Sequence, residues 1–424
     1  MSVTPQVHEI GDGVRLLHVH TENTKTTCIS LILLTPLCEN TAENTVLASF
    51  LAHSSEKYTT LLEVNEQLEE LYGAAFSSDV SKLGEGYRLR LSVTCINDRL
   101  TLGGEKISTE ALRLLLDLLF APLCRNGAFD AHQLQTEIRL CAEDIESELN
   151  DKRAYALSQM VEYMCKEEPY GLPKSELLEG VKAVTPESLY TAWQTLLRTA
   201  AISVQVVGDA DFAPLEAMLR ARFGAIERTP RPVETVFVET AEDVSEFTED
   251  MELNQSKLVL GFRCGMQNAD DNFFAQRVMA DVFGGGPYSR LFMHVREKLS
   301  LCYYCSARLD RRKGILVVQS GIEAKNKQAA LDEILKQLSV MQNGEFTDEE
   351  LAASKAALCD AYRGVNDTPE SVDAYYAQFI DTPPQTPEAM VAGIEAVDRT
   401  AVTAAAKRMT LDTVYFLKGG EEHA

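Results

Sequence analysis

The sequence has no apolar run approaching the roughly 18 residues that a membrane-spanning helix needs. Its first residues, Met1 to Glu9, carry no basic stretch followed by an apolar one, so no secretory signal is expected. Positive charge is scarce: 40 Lys and Arg stand against 64 Asp and Glu, a formal net charge of −24. A surplus of that size repels phosphate backbones and anionic lipid, which argues against nucleic acid and membrane as partners. Cysteines number only ten in 424 residues and follow no regular spacing. Cys28, Cys95, Cys124, Cys141 and Cys264 sit among apolar neighbours, where a reduced thiol acts as a small hydrophobe. A cytoplasmic protein is the expectation. Seven histidines leave few catalytic candidates, and no Ser-His-Asp or Cys-His arrangement stands out.

What is present is globular: 45% of residues are hydrophobic and 25% charged. The length exceeds one ordinary core and suits two domains of roughly 200 residues each. An internal duplication supports that division. In the first half an apolar strand, Thr27 to Leu34, leads to a helix opening at Asn40-x-x-Glu43, a capping-box pattern. A second helix carries Val64, Leu68 and Leu71 and stops at Gly73. Two alternating strands follow, then a leucine-rich helix through Leu112 to Phe120. Gly127-Ala-Phe129-Asp130 introduces a long helix with Leu134, Ile138, Cys141, Ile145 and Leu149 on one face.

The second half repeats this order: a strand from Lys257 to Phe262, a helix from Phe273 to Phe283, and a Gly284-Gly-Gly286 turn into a helix from Ser289 to Lys298. Strands Cys302–Leu309 and Gly314–Ser320 come next, then a helix through Ala330, Ile334 and Leu338. A Thr347-x-x-Glu350 capping box starts the last long helix. The pattern predicts an α+β protein of two homologous domains, 1–228 and 257–424. Between them, 229–256 reads as an acidic linker running into the first strand of the second domain: from Pro232 to Ser256 there are eight acids and no Lys or Arg.

Few motifs carry chemistry on their own. Cys302-Tyr-Tyr-Cys305 has redox or zinc spacing, but residues three apart on a strand point to opposite faces, so core cysteines are expected. His18-Val-His20 would share a strand face without a third ligand nearby. Gly284-Gly-Gly286 lacks the Lys-Ser/Thr of a phosphate loop.

The helix Leu47-Ala-Ser49-Phe-Leu-Ala52-His53 resembles the zinc helix of the pitrilysin/insulinase peptidases, which reads Leu-Ala-His-Phe-Leu-Glu-His. Within that family the chain is similar to the YfmF-like proteins. The block from Gly284 to Tyr304, with Ser289-Arg290-Leu291-Phe292, Arg296-Glu297-Lys298 and Tyr303, is similar to the family's second-domain signature, and Glu168-Pro-Tyr170-Gly171 also matches. The resemblance implies two α/β sandwich domains of the insulinase/LuxS-like metallopeptidase fold in a clamshell arrangement.

On the family's motif, Ser49 stands for the first histidine ligand, Ala52 for the glutamate that activates water, and His53 for the second ligand. The third ligand is a glutamate seven residues after another glutamate; counted from Glu137, this is Asp144, beside Glu143. A catalytic zinc takes about three protein ligands, and a serine hydroxyl is a poor one. Loss of a general base alone costs roughly 10²–10⁴-fold. No zinc and no peptide cleavage are expected of this chain by itself. The resemblance further implies that Arg296 and Tyr303 bind the substrate backbone and steady the oxyanion.

Small members of the family work as two-chain peptidases, so the implied role is a non-catalytic subunit. It would give Arg296 and Tyr303 to a homologous zinc-bearing partner acting on a peptide, with the zinc held in the partner. The same rim surfaces would serve a homodimer of the isolated chain. The alternatives are a peptidase with an atypical metal site of His53, Asp144 and Glu143, and a structural scaffold.

Overall fold

The computed structural model describes residues 4–37, 39–267 and 272–419. The chain divides into two compact units, each assembled from three stretches. The first comprises Met1–Glu146, Ser175–Glu234 and Gly364–Thr386; the second comprises Ser147–Lys174, Thr235–Arg363 and Pro387–Ala424.

The first unit holds a six-stranded sheet of β1 (Gln6–Gly11), β2 (Val14–His20), β3 (Thr26–Pro36), β4 (Ala75–Leu83), β5 (Gly86–Ile96) and β6 (Ala201–Gly208). Their order is β1-β2-β6-β3-β5-β4, with β2 and β6 parallel and the remaining pairs antiparallel. The second unit holds β7 (Ser245–Asp250), β8 (Ser256–Arg263), β9 (Cys302–Asp310), β10 (Ile315–Ile322) and β11 (Thr410–Lys418), in the order β7-β11-β8-β10-β9. Here β7 and β11 are the parallel pair. Strand for strand this repeats β2-β6-β3-β5-β4, so the duplication read from the sequence extends to the pairing itself.

Helix α1 (Thr41–His53) and the long helix α2 (Ala131–Asn150) lie over one face of the first sheet, where Ile29, Leu31, Leu33, Val204 and Val206 join the core with Phe50, Leu51 and Leu134. Every residue from Thr27 to Thr35 is buried, because the other face is covered too. That cover comes from the far end of the sequence. Residues Ala377 and Ile380, in and just after helix α4 of the pair α3 (Lys152–Met164) and α4 (Pro369–Ala377), pack on Ile32 and Leu34. Asp373 accepts hydrogen bonds from Ser30 and from Arg90, whose Nε stands 3.1 Å away.

The second sheet is covered reciprocally. Met160 and Met164 of α3 pack with Val259, Val317, Tyr415 and Leu417. Gly261 permits this approach, since a Cβ there would stand 2.5 Å from the Met164 sulfur and 2.7 Å from that of Met160. A buried ionic cluster fastens the chain that follows α3: Glu168 pairs with Lys313 and with Arg263 (2.8 Å), and Arg263 reaches Asp412 (2.8 Å). Each unit is therefore discontinuous. Residues 147–174, expected in the first domain, complete the second sheet, and 364–386 complete the first. Hydrophobic periodicity marks a face as buried without saying which sheet covers it, and here the bare faces were filled by exchange.

Two local expectations are corrected. Asn40 adopts a left-handed conformation (φ 56°) and its side chain makes no cap bond, so the capping box expected there is not formed. Boxes do form at Thr60/Glu63 and at Thr347/Glu350. The acidic stretch before β8 is also more engaged than a solvated linker: it contains β7, and Glu249 accepts the hydroxyls of Tyr155 (3.0 Å) and Tyr415.

Candidate functional site

Helices α1 and α2 run antiparallel past one another. Cys141 Sγ donates to Thr45 O (3.8 Å), Glu137 meets Ser49 and His53, and Ser54 Oγ donates to Gln133 Oε1 (2.9 Å). Positions 49 and 53 are one helical turn apart, so both reach the same carboxylate. Ser49 Oγ donates to Glu137 Oε2 at 2.6 Å, and His53 Nδ1 lies 2.7 Å from Glu137 Oε1. Glu137 is 2% exposed, and its hydrogen bond holds the His53 imidazole above its ordinary pKa against the opposing effect of burial. Ala52, half-buried on the same turn, offers no proton acceptor.

Glu137, not Asp144, is thus the carboxylate brought to the motif. Seven residues along a helix is about 10.5 Å of rise, and Asp144 and Glu143 are exposed, with Glu143 paired to Arg139 at 2.7 Å. The arrangement is not a nucleophilic triad, since the carboxylate separates the serine from the histidine. It does not fit a catalytic zinc either. Only His53 and Glu137 are good donors, and both Glu137 oxygens are engaged by neighbours. Among the described residues no group of three or more His, Cys, Asp and Glu side chains is placed to hold a metal ion. His18 and His20 do share a face (ring centroids 6.0 Å apart), and burial pushes His18 down to about 4.

In the second unit Arg296 lies on a π-helical segment, Phe292–Lys298, a geometry that recurs at functional sites. Its guanidinium stands 4.6 Å over the Phe292 ring and its side chain is 41% exposed. Tyr303 is 63% exposed at the start of β9. Both side chains are exposed, and Arg296 Nε lies 3.7 Å from Glu297 Oε1.

Residues 183–358 match the description "Peptidase M16 inactive domain". Over 423 residues, 99% of each chain, the protein is 29% identical to "Probable inactive metalloprotease YmfF" of Bacillus subtilis (strain 168). The crystal structure of a conserved protein from Enterococcus faecalis V583 superposes with a TM-score of 0.89 at 29% identity, covering 99% of this chain and 100% of that one. A peptidase M16 inactive domain from Pseudomonas fluorescens shares the fold at 15% identity, with a TM-score of 0.79 and 99% of each chain covered.

The chain is an M16 peptidase homologue: residues 183–358 match the family's inactive domain, and the whole length is similar to a probable inactive metalloprotease. The pitrilysin/insulinase resemblance and the two-domain α+β fold hold, with YmfF as the similar protein in place of the expected YfmF-like ones. No helix among the described residues of this M16 homologue is long and apolar enough to cross a membrane.

Other parts of the family signature turn out to be structural. Arg290 is 6% exposed and spends its guanidinium on Gln337 (2.7 Å) and Glu350 (2.8 Å), tying two helices together. Tyr170 donates to Asp310 (2.8 Å), beside the ionic cluster of Glu168. The M16 homologue also overturns one expectation outright. The register of β9 against β10 slips between Cys302 and Tyr304, so Cys302 and Cys305 face the same core instead of opposite sides. Sequence periodicity cannot register such a slip, because the extra residue has no side-chain pattern of its own.

Proposed function

We propose that this M16 homologue is the non-catalytic subunit of a two-chain zinc peptidase, lending Arg296 and Tyr303 to a homologous partner that holds the zinc. What carries this reading is the motif helix. Ser49 and His53 are both spent on Glu137, Ala52 can accept no proton, and yet a cation and a phenol stay exposed in the second unit. A guanidinium and a phenolic hydroxyl are donors suited to a peptide backbone and to a developing oxyanion. The partner supplies the metal-bound water, and this chain binds and orients the peptide.

The test is metal analysis and fluorescent-peptide hydrolysis on the isolated chain and on the chain mixed with an M16 homologue that carries an intact His-x-x-Glu-His motif. Expected are no stoichiometric zinc and no cleavage alone, with cleavage by the mixture. In the mixture Arg296→Ala lowers turnover about 10²–10³-fold, the cost of one oxyanion donor, without separating the chains. One zinc per isolated chain, with cleavage lost in His53→Ala, would overturn the reading in favour of an atypical metal site. Unchanged turnover in Arg296→Ala would favour a scaffold.

A further inference from the structure

Strand β9 sets Cys302 opposite Ile322 and Cys305 opposite Ser320, with Tyr303 as the residue in excess. The bulge therefore places two cysteines that are three apart in sequence as next neighbours on one face. Ile322 and Ser320 are two residues apart, so the Cα atoms of Cys302 and Cys305 stand about 6.8 Å apart at ~3.4 Å per residue. A disulfide closes over Cα separations of roughly 4.4–6.8 Å, and this pair sits at the long end. Both thiols belong to the same core cluster, 8% and 4% exposed, while Tyr303 between them is 63% exposed. Ser320, buried across from Cys305, donates its hydroxyl to Tyr304 O at 3.0 Å.

We propose that Cys302 and Cys305 are a reversible disulfide site spanning the bulge at Tyr303, formed by exchange with a low-molecular-weight disulfide.

The two thiols are not equivalent. A hydrogen bond to Cys305 lowers the Cys302 pKa, and the nearby Arg296 charge adds to this; Cys305 is raised by Cys302 and by burial. Cys302 is thus the attacking thiol and Cys305 the resolving one. The Cys302 thiolate attacks one sulfur of the small disulfide, forming a mixed disulfide and releasing one thiolate. Cys305 then gives its proton to solvent and attacks Cys302 Sγ, releasing the second. Two protein thiols are oxidised and one small disulfide is reduced to two thiols. Closure at the long end of the distance range is strained, which makes such a bond easily reduced again. Drawing the two Cα atoms together shortens the segment that carries Tyr303, so the phenol shifts with the redox state. An effect on peptide handling would rest on the function proposed above; the disulfide itself does not.

The test uses the full chain alone, incubated folded with oxidised glutathione and then digested with trypsin. Cleavage after Lys298 and Arg308 puts both cysteines in one peptide, 299–308. That peptide is expected two hydrogens lighter, with its mass restored by dithiothreitol. In Cys305→Ser it should instead carry glutathione on Cys302, and in Cys302→Ser it should be unmodified. An unmodified wild-type peptide, or wild type that keeps glutathione on Cys302 without closing, would overturn the proposal.

Discussion

Replacing Ser49 with His and Ala52 with Glu together should turn the motif helix into a zinc site. Four residues of α-helix advance about 6 Å and 40° beyond a full turn, which leaves positions 49 and 53 side by side. The wild-type side chains already converge on the two oxygens of Glu137 at 2.6 and 2.7 Å. Two ligands each ~2.1 Å from a tetrahedral zinc stand about 3.4 Å apart. His53 Nδ1 and Glu137 Oε1 must therefore separate by only about 0.7 Å, a rotamer adjustment costing roughly 0.5–1.5 kcal/mol. Zinc bound by a full protein ligand set contributes on the order of 10 kcal/mol, far more than that cost. The double variant should retain one zinc per chain after dialysis, and a chelator should lower its melting temperature. The parent should hold none, and adding Glu137→Gln to the double variant should abolish retention. A folded double variant without zinc would refute the claim that Glu137 is the poised third donor.

The remaining predictions concern the exchanged helices and the His53 pair. Asp373→Ala takes from Arg90 its buried carboxylate and leaves it Asp79 at 3.3 Å, and should cost about 1–3 kcal/mol in urea denaturation. Gly261→Val drives a side chain into Met160 and Met164 and should cost roughly 1–3 kcal/mol, while Arg296→Ala should leave stability within about 0.5 kcal/mol. The His53 pKa is raised by Glu137, so this pair's contribution to stability is full below the unfolded value of about 6.5 and is lost as pH rises through the higher folded value. Glu137→Gln should remove that pH dependence and bring the NMR titration of His53 down in pH; an unchanged titration would refute the assignment.

The duplicated element order was legible because hydrophobic periods and turn residues are local, and Thr347/Glu350 caps its helix as its spacing predicts. The degenerate motif was legible too, since Ser49, Ala52 and His53 lie on one turn. Its carboxylate partner was not. Glu137 and Asp144 differ by two turns of one helix, and only the packing of α2 on α1 chooses between them. Asn40 reads as a cap but takes a left-handed conformation instead, which asparagine tolerates. The slip in β9 and the exchange of α3 and α4 depend on backbone register and on which sheet face was left bare. Neither leaves a trace in the local pattern of Cys302-Tyr-Tyr-Cys305 or of Pro369–Ala377.

The exchange has a consequence for how the chain is made. Ser30 and its partner Asp373 lie 343 residues apart, a long-range closure that slows folding. At ~5–20 residues per second of synthesis, Ile32 and Leu34 wait on the order of 20–70 s before Ile380 emerges to cover them. For the second half of that interval, once β6 has joined β2 to β3, one face of the sheet is an apolar surface in contact with water. A chain stopped after residue 228 keeps that surface for its lifetime, and should bind chaperones or aggregate where the full-length protein does not.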